Sequence, residues 1–361
     1  MQTFKDLYNI EFFQCFTKKI KVIYPEFKED AFVGNIMSDD WSELPFKKRI
    51  RRITHSLKKS LPNDIEEAFL IIHDVSNHCS GVEYLFLPDF IEVYGIEHFD
   101  LSVKALKDVT CCVSAEFAVR PFIERYPEKM MAELLQWTKS SDKRIRRLSS
   151  EGCRPLLPWS FRLNQFVVDP TPIIPILENL INDSSEYVRR SVANNLNDIS
   201  KHHADIVKAF TRKWLRNSGE TDKLLKHACR TLLKYGDEEI LVLFGLEQLN
   251  QTSVESLEVS SSVLIGEGKT MEFSFVLNNN KHDEIKIRIE YGIGYMKANG
   301  KISEKKFKLS EKVYKKGKTK INRSHSFAPI TTRRYYPGKH TLTIYLNGIS
   351  YKSVVFYVRE K

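Results

Sequence analysis

Two segments decide the fold: DKRIRRLSSEG (142–152) and SEYVRRSVANN (185–195). Aligned on Arg146 and Arg189 they lie 43 residues apart, and each runs from an acidic residue through an apolar one and two bases into a further apolar-rich turn. DKLLKHACRTL (222–232) continues the pattern 37 residues later, at Lys226. Upstream, SAEF (114–117) falls over SSEG (149–152) at a spacing of 35. A recurrence near 40 residues is what helix pairs of HEAT type leave in a sequence. One such pair cannot bury its apolar face alone, so it must stack on its neighbours, and the stack offers an extended binding surface.

Working outward, EDAFVGNIM (29–37), DIEEAFLIIHDV (64–75), MAELLQWTK (131–139) and PIIPILENLIND (172–183) repeat apolar residues at three- and four-residue spacing. Pro, Gly and Asp-Ser turns separate them. After QLNQTS (248–253) the texture changes to alternating, β-branched and aromatic runs such as TMEFSFVL (270–277), EIKIRIEYGIGYMK (284–297) and HTLTIYLNG (340–348). About seven such runs occupy the last 110 residues, the pattern of an antiparallel sandwich of immunoglobulin type. The chain is therefore expected to be mainly α, with a HEAT-like α-solenoid over 1–250 followed by an all-β immunoglobulin-like domain over 254–361.

The charge is uneven. The chain carries +10 overall, yet residues 251–361 hold 21 basic against 10 acidic residues, leaving 1–250 near neutral. Within that neutral part, 143–230 has 16 basic and 9 acidic residues. Two separate basic surfaces suit a long polyanion such as nucleic acid better than a small anion. The first residues, MQTFKDLYNIEFF, have no basic-then-apolar leader pattern, and no apolar run approaches the ~20 residues that span a bilayer. Six cysteines (15, 79, 111, 112, 153 and 229) form no CxxC pair, so reduced, mostly structural thiols in a cytosol are expected.

Register sorts the polar residues. Around 188–202, Val188, Val192, Leu196 and Ile199 make an apolar stripe, and Arg190, Asn194, Asp198 and Lys201 make a second, polar one. Arg147, Glu151 and Arg154 share one side of the preceding repeat, as Glu116 and Arg120 do one repeat earlier. Glu116, Glu151 and Asn194 are register-equivalent, with Asp198 one turn further on. Three carboxylates flanked by arginines are thus expected together on one surface. Taken singly, Glu116–Arg120 and Asp198–His202 read as ordinary i,i+4 pairs, and Trp159 after Pro158 reads as a plug between repeats. A metal site is not expected, because no histidine falls in register with the acids and the arginines compete for them.

SAEFAVRPF (114–122), RRLSSEGCRPLLPW (146–159) and VRRSVANNLNDISKHH (188–203) together resemble the AlkC branch of the DNA alkylation repair glycosylases. FKDLYN (4–9), the RRI segment at 51–53 and VYGIEHFDLSV (93–103) resemble it too, so the likeness spans about 1–240. One departure is Leu156–Leu157, where the family pattern has a basic residue. The resemblance implies helical repeats, in one subgroup an added immunoglobulin-like domain, and removal of 3-methyladenine and 3-methylcytosine from DNA. By motif it places Glu116, Glu151, Trp159 and Asp198 at active-site positions, without a cofactor. It also implies that bending of the duplex, rather than base flipping, exposes the lesion.

The residues suit that chemistry. A cationic N3-methylated base needs no general acid to leave, and carboxylates stabilise the positive charge that develops on the sugar. Glu116 and Asp198 are the candidates for stabilising that charge and for holding the water, with Glu151 a third that orients Arg154. Trp159 and Phe117 would offer aromatic faces to the substrate, and Arg154 would meet its phosphate. Lys143, Arg146, Arg147, Arg189, Arg190, Asn194 and Lys201 are candidate contacts to DNA, and KKFKLSEKVYKKGKTK (305–320) is a candidate second clamp. The expected partner is double-stranded DNA with alkylated bases, bound by a monomer near the nucleoid and away from any membrane. A HEAT-type interaction scaffold, or a lesion-binding protein without catalysis, would share the basic surface but has no use for aligned acids beside Trp159.

Overall fold

The computed structural model describes residues 4–37, 40–246, 249–259, 262–264, 270–328 and 333–359. The chain divides into two compact units, Met1–His203 with Leu215–Ala228, and Ala204–Trp214 with Cys229–Lys361. Among the described residues the first is built of helices and their connecting turns and loops. The second combines three helices, Ala204–Trp214, Arg230–Tyr235 and Glu238–Leu243, with all the strands. The change of texture at 248–253 therefore marks where strands begin, and the compact unit that holds them takes in helices from before it. Among the described residues no helix is long and apolar enough to cross a membrane.

In the helical unit the repeat has a visible physical cause. Lys143–Gly152 packs on Glu186–Ile199, which packs in turn on Gly219–Ala228. The apolar stripe read from the sequence is the contact, since Val188, Val192, Leu196 and Ile199 are all buried. The first arginine of each repeat ties down its own inter-helix turn. Arg146 donates to the carbonyls of Ser140 and Ser141, and Arg189 donates to those of Asp183 and Ser184, the same offsets 43 residues later. Each arginine also reaches an acid of the next repeat, Arg146 to Asp183 at 2.6 Å and Arg189 to Glu220 at 2.7 Å. Arg146 and Arg189 thus lace consecutive repeats together, a job that spacing alone does not reveal and for which the sequence suggests only DNA contact.

The strands are β1 (Thr252–Val259), β2 (Ser262–Leu264), β3 (Thr270–Met296), β4 (Ile302–Ser326), β5 (Gly338–Leu346) and β6 (Ile349–Arg359). They run β1-β3-β5-β6-β2, with β4 on β3. All pairings are antiparallel except the short β2–β6 contact. The runs TMEFSFVL and EIKIRIEYGIGYMK, separate in the sequence, are two halves of β3, and the register slips between Asn279 and Glu284 where one gives way to the other. Phe273, Phe275, Ile287, Ile289, Leu342 and Phe356 fill the core. The β5–β6 turn is Asn347-Gly348, both with positive φ (48° and 80°), the mirror-image turn whose twist matches a hairpin. A side chain at Gly348 would also strike the backbone of Gly236.

Gly152 is helical: it ends Lys143–Gly152, and a β-carbon there would collide with the Val119 side chain. Helix propensity alone says that Gly152→Ala stabilises by up to about 1 kcal/mol. Overpacking against Val119 reverses the sign, so this substitution should destabilise the protein by about 1–3 kcal/mol. A lower urea midpoint at unchanged slope is the expected readout, and a raised midpoint would show that the contact yields.

Candidate active site

The acids and arginines of the repeats form one connected ladder. Glu116 lies in the turn before Val119–Arg125, Glu151 sits one residue from the end of Lys143–Gly152, and Asp198 is the penultimate residue of Glu186–Ile199. Arg147 contacts both Glu116 and Ser114, and lies 3.5 Å from Glu151. Arg154 bridges Glu151 at 2.6 Å and Asp198 at 2.8 Å. Lys201 closes the series on the other oxygen of Asp198, at 3.0 Å. The second Glu151 oxygen accepts from the Ser191 hydroxyl at 2.6 Å. The cluster lies beneath the surface instead of on it: Glu151 and Asp198 are 5 % and 2 % exposed, and Glu116 is half-buried.

Burying these charges is tolerable only because each has partners. Burial alone would lower the basicity of Arg147, but Glu116 and Glu151 outweigh it and hold the guanidinium above its ordinary pKa. Arg154 is likewise raised, burial being overcome by Glu151 and Asp198. The nearby Cys153 is fully buried, which pushes its thiol up to about 12 and excludes it as a thiolate nucleophile at neutral pH. The carboxylates are committed to arginines, and among the described residues no group of three His, Cys, Asp or Glu is arranged to hold a metal ion.

The two local pairs that the sequence allowed do not form. Glu116 turns to Arg147 and Asp198 to Arg154 and Lys201, whereas Arg120 is fully buried and faces backbone. Its guanidinium donates to the carbonyls of Gly152 (3.0 Å), Arg154 (2.7 Å) and Phe161 (2.5 Å), with the Phe161 ring 5.3 Å away. Burial pushes Arg120 down to about 10, which still leaves it protonated at neutral pH. It pins both ends of the loop that carries Trp159. Trp159 is not a plug between repeats: it is 59 % exposed, with a left-handed backbone (φ 65°) and a T-shaped contact with the Phe4 ring. A bulky residue in that conformation costs about 1–2 kcal/mol, so the loop is held by its anchors.

Of the other candidates, Lys143, Arg190 and Lys201 are exposed, and Asn194 is half-buried with its side-chain oxygen 3.1 Å from His227 Nε2. Phe117 is half-buried beneath the Lys47 ammonium, which lies 4.9 Å from the ring centre. A pocket of about 250 Å³ opens beside Trp159 and Phe117. Nothing in the repeat pattern signals this pocket or its charged residues, which belong to earlier helices that carry no repeat motif.

Comparison with known proteins agrees with this architecture. Residues 107–235 match the model of the DNA alkylation repair enzyme family, and residues 253–360 match that of the C-terminal Ig-like domain of the uncharacterised protein YhaZ. The uncharacterized protein YhaZ of Bacillus subtilis is 41 % identical over 360 residues, covering 99 % of this chain and all of that one. The alkylpurine DNA glycosylase AlkC of Pseudomonas fluorescens, solved bound to DNA containing an abasic site analog, superposes with a TM-score of 0.94. The two are 33 % identical, with 99 % of this chain and 100 % of that one covered. The chain belongs to the AlkC-type DNA alkylation repair family. Its helical repeats and its immunoglobulin-like C-terminal domain are the two parts of that architecture.

Arg120→Met keeps an apolar stem but strips three carbonyls of their donors. With roughly 1–3 kcal/mol for each buried group left unpaired, a loss of about 3 kcal/mol or more is expected in urea unfolding, together with faster proteolysis within 153–163. A Met variant as stable and as resistant as the parent would show that the loop stands without this anchor.

Proposed function

We propose that this chain is a DNA glycosylase that hydrolyses the N-glycosidic bond of cationic N3-methylated bases, 3-methyladenine and 3-methylcytosine, in duplex DNA. The observation that carries the reading is the ladder Glu116–Arg147–Glu151–Arg154–Asp198 at the foot of a loop that exposes Trp159. A scaffold gains nothing from three acids held by arginines, two of them buried, at such cost in desolvation.

In the reaction the C1′–N bond breaks and its electron pair leaves with the base, which becomes neutral. Positive charge develops on the deoxyribose, water adds to C1′, and its proton passes to a carboxylate. Glu116 and Asp198 take these two roles. One oxygen of Asp198 is held by Lys201, whose side chain is 40 % exposed. A backbone phosphate that attracts Lys201 leaves that oxygen to the sugar. Glu151, with both oxygens engaged, fixes Arg147 and Arg154, and Trp159 offers its exposed face to the sugar or the cationic base. Lys143, Arg190 and Lys201 meet phosphates directly. Arg146 and Arg189 contribute by fixing the turns beside them. The lesion is exposed by bending of the duplex and is not drawn into a pocket before the bond breaks. The chain works as a monomer on the bacterial nucleoid and leaves the abasic strand intact.

Glu116→Gln and Asp198→Asn should each slow base release by roughly 10²-fold, about 2.7 kcal/mol of transition-state stabilisation, while binding of methylated duplex persists. Chromatography on duplexes with single defined lesions is the assay. Uracil should remain in place, because a neutral base needs help to leave. Turnover at the parental rate in both variants would remove the acids from the chemistry. Strand cleavage without added base or heat would replace hydrolysis by an amine mechanism.

The exposed lysines of β4 are proposed as the second clamp. Replacing Lys305, Lys312, Lys315 and Lys316 by alanine should weaken duplex binding regardless of sequence. The slope of log K against log salt should flatten by up to about one for each phosphate that is no longer neutralised. An unchanged slope would assign this strand another task.

A further inference from the structure

The pocket beside Trp159 is built from two kinds of side chain. Phe46, Phe117, Trp159 and Phe161 supply aromatic surface. Lys47, Arg51, Asp89 and Glu92 supply charge of both signs, two positive and two negative. These groups are organised: Arg51 lies 3.0 Å from Asp89 and 2.8 Å from Glu92, and Thr54 donates to the remaining Asp89 oxygen at 2.6 Å. Burial and the adjacent Asp89 push Glu92 up to about 7, outweighing its contact with Arg51. Near neutral pH that carboxyl is therefore available both as a hydrogen-bond donor and as an acceptor. None of these four charged groups belongs to the acid–arginine ladder, yet Ser114, Phe117, Trp159 and Phe161 line the pocket from the two segments that flank Glu116 and the Arg120-anchored loop.

Size and polarity narrow the occupant. About 250 Å³ is less than the usual volume of a site for a drug-sized molecule, and suits a single flat heterocycle. Aromatic surface takes the faces of such a ring, and paired acids and bases take an edge that carries both donors and acceptors. A cation is disfavoured, because Lys47 already lies against Phe117 and Arg51 stands beside the acids. The leaving base changes charge in the required direction: it is cationic while attached to the sugar and neutral once the bond has broken.

We propose that this pocket binds the excised, neutral methylated nucleobase, and so holds the product after cleavage. The inference rests on the glycosylase reading for the source of its ligand, but not for its test. Free 3-methyladenine should bind the full-length protein saturably at one site, quench tryptophan fluorescence and raise the melting temperature. Phe161→Ala, which removes an exposed ring, and Glu92→Gln, which removes the titrating carboxyl, should each weaken binding at least tenfold. The same preparations, assayed for base release from methylated duplex, separate the two claims. Base release by the parent, with no saturable binding of 3-methyladenine up to millimolar concentration, would overturn the pocket and leave the glycosylase reading standing. Binding that neither variant weakens would overturn it too. Saturable, variant-sensitive binding without any base release would uphold the pocket and overturn the glycosylase reading.

Discussion

The buried Glu151 carboxylate is the interaction on which the site depends. A lone ion in a protein interior costs several kcal/mol even after relaxation, and Glu151 is 5 % exposed. It is acceptable only because Arg147, Arg154 and the Ser191 hydroxyl converge on it from its own helix, the following loop and the next repeat. Those arginines are then in place to hold Glu116 on one side and Asp198 on the other. The stacking of repeats and the placing of acids are therefore one problem with one solution. A shift between neighbouring helices would strip partners from charges that cannot reach water, which makes the register of the stack stiff where the chemistry is proposed.

Arg120 serves the same end by different means. With no carboxylate, it spends its fork on three backbone carbonyls, an arrangement for which a planar guanidinium is suited and an ammonium is not. The consequence is a loop whose ends are fixed while its tip is held in a conformation unfavourable for a bulky residue. Trp159 is displayed, not stored. An exposed aromatic on a pinned loop loses little further freedom on meeting a ligand, which favours binding through pre-organisation.

Periodicity made much of this legible. The offset of 43 residues between Arg146 and Arg189 reappears as two arginines capping two equivalent turns, and register arithmetic brought Glu116, Glu151 and Asp198 into one cluster. The same arithmetic misread Arg120, because i,i+4 spacing says which residues are within reach on a helix and nothing about what competes for them. Glu116 lies in a turn before the helix begins, so the geometry of that pair never arises. In the immunoglobulin-like domain, alternation located the strands, yet could not tell that two runs continue as the single strand β3 across a slip in register.

By itself, the sequence determined the helical repeats, the change to strand-like texture around 248–253 and the residue types at the site, because these follow from spacing, alternation and composition, which are local properties. Only the tertiary structure decided that Glu151 and Asp198 lie buried beneath the surface, that Arg146 and Arg189 lace repeats together, and that a pocket lined by Lys47, Arg51, Asp89 and Glu92 opens beside Trp159. Those residues stand some 65 to 110 positions from Trp159 along the chain and share no period with it. Burial and partner choice depend on which surfaces meet when the repeats stack, and a charge selects among all neighbours within a few ångströms, not among those near it in sequence.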